Sequence, residues 1–121
     1  MRVLITGVCG FLGSAIARGL LENLDAAGAS VLGIDNLSRW GAETNIPDLV
    51  RRGVLVIRGD IRSRDQVNAL PPADWLIDCA ACASVLGGIS PAMGPAELLD
   101  HNLIGTLNIL EYCRAHQAGL I

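Results

Sequence analysis

Three glycines at every third position, Gly7, Gly10 and Gly13, follow the apolar run Arg2–Thr6 and open a segment of helical periodicity. A bound phosphate needs main-chain N–H groups aimed at it and no side chain in the way. Glycine removes the side chain, and a helix N-terminus adds about half a positive charge. Gly7 would make the tight turn, Gly10 would let a pyrophosphate approach, and Gly13 would let helix and strand pack closely, with Phe11 and Leu12 between them at the helix start. Roughly 20 residues past the last glycine, Asp35 stands where a carboxylate can accept from both hydroxyls of an adenosine ribose. That acid favours NAD and would repel the 2′-phosphate of NADP. Arg39, four residues on, could instead hold such a phosphate. Asp60-Ile61 is within reach of an adenine amine, and a cap on the helix that follows is compatible with that role. Ala80-Ala81 offers small side chains where a dinucleotide would cross, or packs tightly for ordinary reasons.

These residues need elements to bring them to one edge. Arg2–Thr6 and Ser30–Ile34 read as buried strands, Val54–Arg58 and Trp75–Cys79 as a third and fourth strand, and Gly119-Leu120-Ile121 as the start of a fifth. Between them, Leu12, Ile16, Leu20 and Leu24 recur every four residues, which predicts an amphipathic helix ending near Ala27-Gly28. Pro47 opens a helical turn through Arg52, and Arg64–Leu70 is a weak helix closed by Pro71-Pro72. A last helix runs from Pro95 to about His116, with Leu99, Leu103, Leu107 and Leu110 as its expected buried stripe. Strands alternating with helices at this spacing predict an α/β, Rossmann-type doubly wound parallel sheet with helices on both faces. Its ligand edge lies at the carboxyl ends of the strands, beside the first.

Composition narrows the classes. The chain has 121 residues, 51% apolar, with 17% charged and a net charge of −3, enough for one domain. A disordered tail or a basic nucleic-acid arm would need a large charge excess, so no nucleic-acid partner is expected. All nine basic residues are arginines, and Tyr112 is the single tyrosine. The uncharged run Val3–Ala17 mimics an export signal, but its evenly spaced glycines favour a strand and turn. The run Cys79–Ala96 gathers Gly87-Gly88, Pro91 and Gly94-Pro95, so it reads as a loop and not as a membrane helix. The four cysteines are then reduced thiols of a cytoplasmic protein.

Cys79-Ala80-Ala81-Cys82, with Cys9 nearby, could be a redox pair or half a metal site. A thioredoxin-like pair opens a helix, however, and no fourth ligand is evident; small buried thiols are the simpler reading. His116 lies in the last helical turn, where it would complement the helix dipole.

Four motifs in order, Thr6–Gly13, Gly59-Asp60-Ile61-Arg62, Asp78-Cys79-Ala80-Ala81 and Asn102–Glu111, resemble the extended short-chain dehydrogenase/reductases, the NAD-dependent nucleotide-sugar epimerases and dehydratases. The resemblance spans essentially the whole chain. Asp35-Asn36-Leu37-Ser38-Arg39, followed by Gly41-Ala42 and Asn45, looks most like the CDP-paratose (CDP-tyvelose) 2-epimerase branch. It implies NAD held by the glycine turn, Asp35, the loop Asn36, Leu37, Ser38 and Arg39, and Asp60-Ile61. Ala80-Ala81 would line the nicotinamide side, with Asn102 near the nicotinamide ribose. It also implies a nucleotide-sugar substrate, a homo-oligomer (a dimer at full length), and transient oxidation of a sugar hydroxyl by hydride transfer.

The chain departs from that pattern at the proton-transfer step. The family's base is the tyrosine of a Tyr-x-x-x-Lys pair, whose lysine lowers the tyrosine's pKa. Here Tyr112 is followed by Cys113, Arg114, Ala115 and His116, and lies on the helix's outer turns. Residues 1–121 are therefore expected to be a dinucleotide-binding domain incomplete at its C-terminus and inactive alone. A non-catalytic binding module or sensor is the alternative.

Overall fold

The computed structural model describes residues 1–24, 28–83, 88 and 93–121, with the side chain of Leu24 left out. In chain order the elements are β1 (Arg2–Thr6), α1 (Phe11–Leu24), β2 (Ser30–Asp35), a 3-10 turn (Ala42–Asn45), α2 (Ile46–Arg51), β3 (Leu55–Arg58), α3 (Arg64–Asn68) and β4 (Trp75–Asp78). They end with α4 (Pro95–Leu99), a π turn (Asp100–Ile104), α5 (Gly105–His116) and β5 (Gly119–Leu120). The end expected for the first helix at Ala27, and most of the Gly/Pro loop with Gly87 and Pro91, lie outside the described residues.

All strand pairings are parallel, and the sheet order is β3-β2-β1-β4-β5. The expected Rossmann-type doubly wound sheet is therefore present, with its topological switch between β1 and β4. Strand β1 is central and buried on both faces, which explains why its middle residues Val3, Leu4 and Ile5 are all apolar. Val3 and Ile5 pack with Val31, Val8, Ala17 and Leu49 on the side of α1 and α2. Leu4 packs with Leu32, Ile34, Leu76, Ile109 and Tyr112 on the side of α3 and α5. Two cores, one on each face, fix the height at which the strand ends meet the cleft.

Two helical faces differ from the sequence reading. Leu99, Leu103, Leu107 and Leu110 are not the buried stripe; they are 57, 60, 50 and 48% exposed. Asn108, Ile109, Tyr112 and Cys113 face the sheet instead. Leucine spacing marks an apolar face without saying which neighbour it meets. The sheet-facing side is chosen by polar anchors: Asn108 Nδ2 donates to the Ile61 carbonyl and the Tyr112 hydroxyl to the Pro71 carbonyl. Tyr112 is accordingly a core residue, 1% exposed, and not on the helix's outer turns. Its ring lies 4.4 Å from that of His116. In α1, Ala17 is fully buried with Ile16, Leu20 and Leu21 packed beside it, whereas Leu12 is 57% exposed and turns toward the cleft.

Candidate functional site

A cleft of about 550 Å³ opens at the carboxyl ends of the strands. Gly7, Gly10, Phe11, Leu12 and Gly13 form its first wall. The turn is tight because Gly7 takes a positive φ of 60°, in the left-handed region that favours glycine. A Cβ on Gly13 would stand 2.3 Å from the Gly7 carbonyl oxygen, so no larger residue lets α1 approach the turn this closely. A helix leaves its first N–H groups without an intrahelical acceptor, and α1 starts on the cleft, with Phe11, Leu12 and Gly13 lining it. Gly10, with a Cβ position 3.1 Å from the Gly7 oxygen, keeps the approach open. This cradle, which any side chain would fill, fits a pyrophosphate.

Asp35, at the end of β2, is bound into that turn. Its Oδ2 accepts the Cys9 N–H at 2.9 Å and its Oδ1 the Leu37 N–H at 2.8 Å. Each carboxylate oxygen keeps a second lone pair for a ribose hydroxyl. Burial and, after it, the Asp35 charge push the Cys9 thiol up to about 11, so Cys9 stays a neutral packing residue. The Cys9 carbonyl accepts from Asn45 Nδ2, whose Oδ1 in turn takes the Arg18 guanidinium, while Arg18 pairs with Asp48. The turn is thus fastened to α1 and α2 from behind.

The second wall carries Asn36 and Asp60. Asn36 Nδ2 donates to Asp60 Oδ2 at 3.0 Å, and its Oδ1 accepts the Ser38 N–H. The Arg62 guanidinium pairs with Asp60 at 2.8 Å and holds its carboxyl well below the usual range. Asp60 does not cap the following helix; Ser63 does, accepting from the Gln66 N–H. Beside it, Asn36, Arg58, Gly59, Asp60 and Gln66 line a shallow recess of about 350 Å³, sized for a flat heterocycle. Ile61 lines the main cleft, and Ser38 and Arg39 its open edge. Leu37 stands behind the wall; its φ is 57° and its side chain packs into the core on the α1 side.

The third wall is Asp78, Cys79, Ala80, Ala81 and Ala83, and His101 also lines the cleft. Thr6 builds this wall, and sequence reasoning missed its role. The buried Thr6 hydroxyl donates to Asp78 Oδ1 at 2.5 Å and accepts the N–H groups of Cys79 and Ala80, each at 3.0 Å. The only sequence signal for it is a hydroxyl at the end of an otherwise apolar strand. His101 was not assigned to the cleft from sequence either. Asn102 does not line the cleft: its Oδ1 accepts the Cys82 N–H at 2.8 Å and its Nδ2 donates to the Cys82 carbonyl at 3.2 Å.

Cys9, Cys79, Cys82 and Cys113 are all free thiols, and no group of three or more metal-ligating side chains exists among the described residues. Cys82 Sγ contacts Met93 Sδ at 2.9 Å. Burial raises the Cys79 thiol as well, the reverse of what a reactive pair needs. No described helix is long and apolar enough to cross a membrane.

Comparison with known proteins gives the family and the fold. The chain is 34% identical over 98% of its length to CDP-paratose 2-epimerase of Salmonella typhi, and spans 34% of that protein. It thus covers about a third of the curated relatives it matches. Its fold superimposes with a TM-score of 0.75 on UDP-glucose 4-epimerase from Bifidobacterium longum, solved with NAD+ and UDP, at 30% identity over 98% of this chain and 35% of that one. A UDP-Glc/GlcNAc 4-epimerase from Campylobacter jejuni gives a TM-score of 0.81 at 26% identity, over 96% and 34%. The model of the "NAD dependent epimerase/dehydratase family" matches residues 3–121, and the chain belongs to that family.

Proposed function

We propose that residues 1–121 are the NAD-binding portion of a nucleotide-sugar epimerase or dehydratase that works by transient oxidation of a sugar hydroxyl. The observation that supports this most directly is the union of the glycine cradle with Asp35, whose carboxylate is bonded to the turn at Cys9 and still faces the cleft. The first amides of α1 would take the pyrophosphate, Asp35 the adenosine ribose, and the Asn36–Asp60 recess the adenine. Ala80 and Ala81 leave room for the nicotinamide half on the third wall. When bound, NAD supplies the acceptor for a hydride from the sugar carbon. Asp35 next to the ribose favours NAD over NADP, and Arg39 at the open edge is the residue to test for the latter.

No group in these residues takes the sugar proton in this reading. There is no lysine, and the one tyrosine spends its hydroxyl on Pro71 in the core. We therefore propose one dinucleotide-binding domain whose partner residues for proton transfer lie outside residues 1–121. The four free thiols suit a reducing cytoplasm. The exposed leucines of α4, the π turn and α5 suit a second copy of the chain, so Leu103→Glu is expected to dissociate a dimer in sedimentation.

Calorimetric titration tests the cofactor reading. NAD is expected to bind more tightly than NADP, and Asp35→Ala to weaken NAD about tenfold, or 1.4 kcal/mol. Equal binding by the variant and the parent sinks the ribose assignment. No epimerase turnover is expected from residues 1–121, and measurable turnover would overturn the absence of a proton-transfer group.

A further inference from the structure

The protein itself fills the acceptor positions of the Asp60 carboxylate. Oδ1 takes the main-chain N–H of Arg62 at 2.9 Å and Arg62 Nε at 3.0 Å. Oδ2 takes Arg62 Nη2 at 2.8 Å and Asn36 Nδ2 at 3.0 Å. An ionised carboxylate offers about four lone-pair sites, and these four bonds occupy them. The same arginine keeps the group ionised, so it has no proton to give either. A base amine arriving in the recess beside it meets an acceptor that is already full.

The other polar side chains of the recess are engaged at one end only. Asn36 Oδ1 accepts the Ser38 N–H at 3.0 Å, and Gln66 Oε1 accepts the Asp60 N–H at 2.7 Å. Each amide oxygen thus serves the main chain. Asn36 Nδ2 uses one of its two N–H groups on Asp60, and Gln66 Nε2 bonds to no described residue. Arg58, at the end of β3, lines the same recess, and its guanidinium has no hydrogen-bond or ion-pair partner among the described residues. What the recess holds out to a ligand is therefore a set of donors. A purine ring answers donors with its bare ring nitrogens, whereas an exocyclic amine is itself a donor.

We infer that Gln66 and Arg58 read the base in this recess through its ring acceptors, and that Asp60 is the frame of the recess and not its reader. Gln66 donates from Nε2 to a ring nitrogen, with its amide plane fixed by the Asp60 N–H at the other end. Arg58 lays a planar cation against the ring. This rests on the dinucleotide reading given above. It departs from the expectation that Asp60 takes the adenine amine, and it makes that amine replaceable: a purine with a carbonyl in the amine's place fits as well.

The test compares NAD with nicotinamide hypoxanthine dinucleotide, which carries a carbonyl where NAD carries the adenine amine. The parent is expected to bind the two within about twofold, because only a lost bond to a carboxylate would cost about tenfold. ADP and inosine diphosphate, which reach the adenosine end alone, are expected to give the same ratio. A tenfold preference for NAD, or for ADP over inosine diphosphate, overturns the assignment and returns the amine to Asp60. Gln66→Glu keeps the oxygen that holds the Asp60 N–H and removes only the donor. Its affinity for NAD is expected to fall about fivefold, the order of one hydrogen bond, with amide exchange at Asp60 unchanged in the unliganded protein. Gln66→Met adds no charge and is expected to lose as much affinity, and Arg58→Ala about threefold. Unchanged NAD affinity in both Gln66 variants overturns the role of Gln66. Failure of the parent to bind either NAD or ADP would overturn the dinucleotide reading and this role together, whereas binding with a tenfold preference for the amine overturns the role alone.

Discussion

The two ends of the cleft are held by different means. At the adenosine end the carboxylates are held by contacts that are local or run between neighbouring strands, Asp60 with Arg62 two residues on, Asp35 with Leu37 two residues on and Asn36 with Asp60 across β2 and β3, and Asn108 adds a distant brace on the main chain of Ile61 and Arg62. At the other end the wall after β4 is fixed from far away in sequence. Thr6 reaches Ala80 over 74 positions and Asn102 reaches Cys82 over 20. The first end is a set of charges and turns that each strand brings with it. The second is a run of small residues with no polar side chain of its own between Cys79 and Ala83, so its shape is borrowed from other elements.

The sharpest way to break this contrast is at the point where both ends share a foundation. Gly13→Ala would put a Cβ 2.3 Å from the Gly7 oxygen, 2.8 Å from its carbonyl carbon and 2.9 Å from the Val8 Cα, all main-chain atoms that cannot step aside. Overpacking of this kind is expected to cost about 3 kcal/mol and to abolish nucleotide binding, as read from denaturant unfolding and titration. Unchanged stability would mean that α1 can slide away from the turn, and the cradle would then not be rigid.

Thr6→Val comes next and separates the two ends. It keeps the shape of a buried side chain but removes a hydroxyl that serves three partners. The N–H groups of Cys79 and Ala80 lose their acceptor, at an expected cost of about 2 kcal/mol. NADH is expected to lose affinity while ADP does not. Equal losses for both ligands would show that the ends are coupled through β1 and would erase the distinction drawn here.

That same distinction explains what was legible in the sequence. The parallel sheet was legible because a strand buried on both faces is apolar through its middle, as Val3, Leu4 and Ile5 are. The glycine turn, Asp35 and Asp60 were legible because each follows a strand directly, so position along the chain is position at the edge. Thr6 and His101 were not: their part in the cleft depends on β4 and the π turn, which come near them only in the fold. The leucines at 99, 103, 107 and 110 misled for a related reason. Period reports that a face is apolar, and only the anchors at Asn108 and Tyr112 decide that the opposite face meets the sheet.

The smallest expected effect tests whether the adenosine end is preformed by charge. The Arg62 guanidinium bonded to Asp60, helped by Asn36, holds its carboxyl below the usual range in the folded chain. An unfolded aspartate titrates near 3.9. Because the folded value is the lower one, the unfolded chain takes up the proton first as pH falls. The contribution of this pair to stability is therefore complete above about pH 4 to 5 and drains away below it, through the folded value. Asp60→Asn lacks that carboxylate, so urea midpoints of variant and parent are expected to differ most at pH 6 and to converge toward pH 2. With Asp60 at 23% side-chain exposure and Arg62 at 31%, solvent screens the pair, and the gap at pH 6 is expected to be on the order of 1 kcal/mol or less. A gap that stays constant across that range would show that hydrogen-bond geometry, and not the carboxylate's charge, sets this wall. The adenosine end would then be built by the same means as the wall after β4.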